Sequence, residues 1–164
     1  MKTLTKEELK EFNFNVLFRL AQGCDKALCL KLIMHTGLRA TEALSIRGED
    51  IDHANREITI RTAKRGKDRR IRYPQELNKH LTKADPFRFS YDTLLRHMKR
   101  MLPPSAQGKA VHALRHNFAI AHYDKHRDIL KTMTVLGHKN IQNTMVYMGE
   151  VEGPESMDDV VSYG

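Results

Sequence analysis

No run of apolar residues in this chain approaches the roughly 18–20 needed to cross a bilayer. The opening residues MKTLTKEELKEF contain no apolar block of the signal-peptide kind. These absences argue against a membrane span and a secretory route, and the expectation is a soluble, cytoplasmic protein. Cysteine is scarce. The two present, Cys24 and Cys29, fall five residues apart in one expected helix and point in different directions, so the pair reads as reduced. Internal repeats and low-complexity segments are lacking as well. A chain of 164 residues, 40% hydrophobic and 29% charged, therefore reads as one compact domain with a sizeable core. Lys and Arg are missing from residues 149–164, which carry Glu150, Glu152, Glu155, Asp158 and Asp159. Setting those five negative charges aside from the net +8 leaves +13 on the rest of the chain, the footprint of a polyanion binder. Basic charge alone is a weak classifier, and particular residues discriminate better.

The hydrophobic pattern predicts a mostly α-helical fold with a small three-stranded antiparallel sheet. Thr5 to Glu8 has the form of a capping box opening a helix to about Gln22, with Leu9, Phe12, Val16 and Leu20 as its core stripe. Ala27 to Met34 is apolar almost all round and reads as a central buried helix that stops at Gly37. A short helix follows from about Ala40 to Ile46. The period then changes to two. Glu57 to Thr62 and Arg70 to Tyr73 alternate polar and apolar as half-buried strands do, and Asp52 to Asn55 turns the chain into the first of them. Between the strands Ala63 to Asp68 reads as a turn, and the stretch Lys64 to Arg69 carries four basic residues, Lys64, Arg65, Lys67 and Arg69. Helices are expected again near 75–83, 90–101, 110–126, 129–136 and 141–147.

Among reactions on a polyanion, phosphodiester transfer needs fixed cations at the non-bridging oxygens, a nucleophile, and an acid for the leaving oxygen. Guanidinium suits the first task, because its fork can hold two phosphate oxygens and it stays charged at any working pH. Arg39 opens a helix just after the Gly37 stop. Arg115 sits one helical turn beyond His112, on the same face. His138 follows Leu136-Gly137 at a corner, and Tyr147 lies nine residues further.

TGLRATEAL, TAKRGKDRR, HALRHNFA, LGHKN and NTMVYM occur in that order, and together they resemble the motif series of the tyrosine recombinases and phage-type integrases. The spacings of 23 from Arg115 to His138 and nine to Tyr147 resemble that family's as well. The resemblance runs from about residue 3 to 150. It implies a catalytic domain over residues 1–148, an acidic tail over 149–164, and the absence of the helical N-terminal DNA-binding domain that family members usually carry. The chain would then be a fragment of a longer protein or a minimal recombinase. The resemblance further implies that Arg39 and Arg115 clamp the scissile phosphate, Lys64 protonates the 5′-oxygen, His112 and His138 bond the phosphate, and Tyr147 attacks. Glu42 and His116 would be supports, and Arg65, Lys67 and Arg69 would contact DNA. The implied partner is double-stranded DNA of the nucleoid, with four protomers at synapsis and a monomer in isolation. No cofactor, metal or membrane is implied.

Plainer readings stand beside these. Lys67 rivals Lys64 for the acid. Tyr73, Tyr91, Tyr123 and Tyr163 compete with Tyr147, which only its distance from His138 favours. His112 and His116, four apart on a helix, could be half a metal site, although no HExxH pattern or nearby cysteine supports one. The same basic face could serve a DNA-binding module without catalysis, or a nuclease releasing its product to water. The tail could pack in cis or in trans against the basic body, with Val151, Val160 and Val161 as anchors, or simply solubilise the chain.

Overall fold

The computed structural model describes residues 3–61 and 68–137. Lys64, Arg65, Lys67, His138 and Tyr147, the helix expected over 141–147 and the acidic tail all lie outside the described residues.

The first helix, α1 (Lys6–Ala21), starts where the capping box predicts: Thr5 Oγ1 accepts from the Glu8 N–H, and Glu8 Oε1 accepts from the Thr5 N–H. Such reciprocal caps satisfy two orphan donors, and loss of the Thr hydroxyl from one costs about 1 kcal/mol. Phe12, Val16 and Leu20 are buried, and Leu9 is partly so. The second helix, α2 (Asp25–Thr36), is the hub. It buries Ala27, Leu28, Cys29, Leu30, Leu32 and Ile33 and packs against α1, α3 (Ala40–Leu44), α5 (Tyr91–Met101) and α6 (His112–His126). Burying a Leu or Ile side chain fully is worth about 1.5–3 kcal/mol, so this nearly continuous apolar surface is a principal source of the core's cohesion. One detail differs from expectation. Cys24 stands at the cap before α2 rather than inside it, and both cysteines are free thiols.

A 3-10 turn over Gly48–Asp50 leads into β1 (Ile51–Asp52), β2 (Glu57–Ile60) and β3 (Arg69–Arg72), an antiparallel meander in the order β1-β2-β3. Ile58 pairs with Ile71 and with Ile51, so one face is apolar and faces the core. Arg69 pairs with Ile60, so the strand begins one residue before the expected Arg70. The helix α4 (Gln75–Asn78) is shorter than the expected 75–83, and the following chain docks on the 3-10 turn through a Gly48 N–H to Ala84 carbonyl bond of 2.6 Å. Ser90 caps α5, and Pro104–Ala106 makes a second 3-10 turn. The last described helices, α6 and α7 (Ile129–Leu136), form an antiparallel pair beside α2, with Asp128 capping α7 through two backbone N–H groups. The mostly helical architecture with a three-stranded antiparallel sheet is thus the expected one.

Candidate functional site

Three helix ends meet at one place. The last turn of α2 closes at Gly37, α3 begins beside Arg39, and α7 closes at Gly137. Gly37 and Gly137 both adopt positive φ, at 70° and 75°, the left-handed conformation that ends a helix most cheaply when the residue has no Cβ. At Gly37 there is a second reason for glycine: a Cβ there would stand 2.3 Å from the Phe118 ring.

Arg115 lies under this junction on the first turn of α6, only 1% exposed. Its Nη1 donates to the Gly37 carbonyl at 2.6 Å and its Nη2 to the Leu136 carbonyl at 2.9 Å. One buried cation therefore ties together the C-termini of α2 and α7, whose dipoles present partial negative charge to it. That arrangement offsets the cost of burying a guanidinium and fixes its plane. Next to it, His116 is buried and its ring meets that of exposed His112 edge-on at 4.7 Å. Asn117 completes the motif structurally: its side-chain amide accepts from the Leu4 N–H and donates to the Leu4 carbonyl, joining α6 to the start of the chain. No local pattern marks Asn117 or Phe118, since their partners Leu4 and Gly37 lie far away in sequence.

Glu42, one turn into α3, is the anionic counterpart. It accepts from the Arg39 backbone N–H at 2.9 Å and pairs with the Arg39 guanidinium at 3.5 Å, with Arg115 at 3.9 Å and with Arg69 at 2.8 Å. Burial pushes its carboxyl up. The Arg69 hydrogen bonds, the Arg39 backbone bond and the two neighbouring charges outweigh that, leaving it below the usual Glu range. The carboxylate is therefore ionised at neutral pH. Arg39 is the exposed member, with 43% of its side chain open to solvent. The structure thus brings together Arg39, Glu42, Arg69 and Arg115, with His112 and His116 beside Arg115 on the first turns of α6. Arg69 is expected to touch DNA, yet its guanidinium is turned inward to Glu42.

Of the rival tyrosines, Tyr73 is buried and donates to Asn78 Oδ1 at 2.7 Å, Tyr123 is buried on α6, and Tyr91 opens α5 at the surface. Among the described residues no group of three or more His, Cys, Asp or Glu side chains is placed to hold a metal ion, and no helix is long and apolar enough to cross a membrane.

The sequence model described as the phage integrase family matches residues 2–85, which is half of the chain. The chain belongs to the phage integrase family. Within the family it is similar to a tyrosine recombinase named XerA of Saccharolobus solfataricus, at 31% identity over 87% of this chain and 53% of that protein. It is also similar to the integrase of Escherichia phage P2, at 32% identity over 97% of this chain and 45% of that protein. The chain therefore spans about half the length of the curated relatives it matches. Its fold is that of a crystal structure of the XerH site-specific recombinase bound to a difH substrate, with a TM-score of 0.75 at 21% identity over 96% of this chain and 52% of the other.

Proposed function

We propose that this chain cuts and rejoins double-stranded DNA in site-specific recombination or integration, through a 3′-phosphotyrosyl bond at Tyr147. The observation that carries the reading is the junction itself. A guanidinium held rigid by two helix C-termini and a second, more exposed one at the start of α3 share a single ionised carboxylate. Family membership supports it, as do the similar proteins' descriptions as tyrosine recombinase, integrase and a recombinase bound to difH.

In this reading Arg39 and Arg115 hold the non-bridging oxygens and stabilise the extra charge of the pentacoordinate phosphorus. Tyr147 Oη attacks phosphorus as its proton passes to a histidine, His112 or His138. The bond from phosphorus to the 5′-oxygen breaks, and Lys64 donates the proton that makes the leaving group a hydroxyl. A free tyrosine is ionised about one part in a thousand at neutral pH, so neighbouring cations do much of the activation. The phosphotyrosyl bond conserves the phosphodiester energy, and rejoining by a 5′-hydroxyl needs no nucleotide cofactor. Arg65 and Lys67 track the duplex near the cleavage site. The catalytic unit is residues 1–148. Four copies act at synapsis, at the nucleoid, and the isolated chain is a monomer.

The test is incubation with a nicked, end-labelled duplex carrying a candidate site, in EDTA, followed by a denaturing gel. The expected result is a protein–DNA adduct that is lost in Tyr147→Phe. Tight, salt-sensitive binding without any adduct would point to a binding module instead. Cleavage with free ends and no adduct would point to a nuclease.

A further inference from the structure

Arg69 sits at the base of the basic hairpin, where a DNA contact is expected, but its surroundings assign it to something else. Its side chain is only 17% exposed. The guanidinium donates from Nη1 and Nη2 to the two oxygens of Glu42, at 2.8 and 3.1 Å, and from Nε to the Val135 carbonyl at 3.3 Å. A Cβ on Gly137 would stand 2.7 Å from the guanidinium carbon, so the last turn of α7 closes directly against it. One side chain from the return strand of the hairpin thus touches α3 and the end of α7 together. Just past the outgoing strand, Arg61 pairs with Asp50 and Glu49 at 2.9 and 3.3 Å, but with its side chain largely exposed.

The consequence lies in how Glu42 is shared. Three arginines face this carboxylate. Arg69 takes both oxygens in a fork, the strongest geometry of the three, whereas Arg39 and Arg115 approach only to 3.5 and 3.9 Å. With Arg69 absent, a half-buried carboxylate would satisfy itself on the nearest remaining guanidinium. Arg39, exposed and near, would be drawn toward it and away from where a phosphate would lie.

We propose that Arg69 is a positioning residue that saturates Glu42 and braces the Val135–Gly137 turn, keeping Arg39 available to the scissile phosphate and fixing the corner from which the chain runs to His138. The inference rests on the function proposed above. It reassigns Arg69 from the DNA interface to the support of the phosphate clamp.

The decisive experiment measures single-turnover adduct formation on the nicked duplex, and duplex affinity across a salt series, for the full chain and four variants. Arg69→Ala is expected to form adduct at least about tenfold more slowly, with affinity within about twofold of wild type and an unchanged salt slope. Arg69→Lys recovers little, because an ammonium cannot make the two parallel bonds to Glu42 and the third to Val135 at once. Arg69→Gln, which keeps one bond to Glu42, covers the case in which the alanine variant does not fold. The double variant Arg69→Ala with Glu42→Gln should be several-fold faster than Arg69→Ala alone, since a neutral amide no longer captures Arg39. A merely architectural role predicts that the two losses add. The inference is overturned if the double variant is no faster, or if Arg69→Ala weakens binding with a salt slope smaller by about one and Lys restores it, which is the behaviour of a phosphate contact. An adduct absent from the wild type would overturn the proposed function, and this inference with it. A wild-type adduct without the variant pattern overturns the inference alone.

Discussion

At Gly37 two demands fall on a single residue, and they can be separated by experiment. Its φ of 70° costs any residue with a Cβ about 1–2 kcal/mol, and a methyl group there would also run into the Phe118 ring at 2.3 Å. Overpacking of that kind adds about 1–3 kcal/mol. Gly37→Ala should therefore lower unfolding free energy by about 2–5 kcal/mol, measured by urea denaturation. In a Phe118→Ala background the same change should cost only the backbone share, about 1–2 kcal/mol. An equal cost in both backgrounds would mean that the ring yields and the steric part of the account is wrong. The residue scale is also where the sequence is least informative. Gly37 is legible as a helix stop, but Phe118, its reason for remaining glycine, lies 81 positions away. The same holds for Arg69, whose alternating neighbours announce a strand while its partner Glu42 belongs to a helix formed earlier in the chain.

Among the elements, the α6–α7 pair carries a titratable contact of its own. His122 on α6 hydrogen-bonds buried Thr132 on α7 at 2.8 Å, and its ring lies 4.3 Å from that of His126. Burial first, then the charges of His126, Lys131 and Lys125 against the weaker pull of Asp128, push its pKa down from 6.5 to about 4. The unfolded chain thus binds a proton below about pH 6.5 that the folded chain refuses until about pH 4. Stability attributable to this contact is complete above that window and falls as pH drops through it. His122→Gln, which can keep a bond to Thr132, should flatten the decline of the unfolding midpoint between those two values, and parallel declines would contradict the assignment. Elements were the most legible scale. The bounds expected for α1 and α7 match because each has a cap signal and a clear apolar period. The helix expected over 75–83 shortens to Gln75–Asn78, and the chain beyond it docks on Gly48 through the Ala84 carbonyl, a tertiary contact that no local period reveals.

For the molecule as a whole, the charge distribution and the site tell one story. The chain carries a net +8 while the charged residues among its last sixteen are all acidic, and the described body places arginines at a junction of helix ends. Family and fold were legible from the order of five short motifs, and the structure adds why Arg115 can be buried where α2 and α7 end. It is held by the carbonyl ends of α2 and α7, not by a matching anion alone. The central claim, a covalent bond from Tyr147 to DNA, is tested most directly by locating that bond. Trypsin cleavage of the purified adduct would place Tyr73, Tyr91 and Tyr123 on separate peptides, whereas Tyr147 and Tyr163 share the piece from Asn140 onward, which has no internal Lys or Arg. Mass spectrometry of the adduct after nuclease digestion should find a nucleotide 3′-phosphate on that last peptide, in wild type and in Tyr163→Phe alike. A nucleotide on any other peptide, or its loss in Tyr163→Phe, would contradict the account.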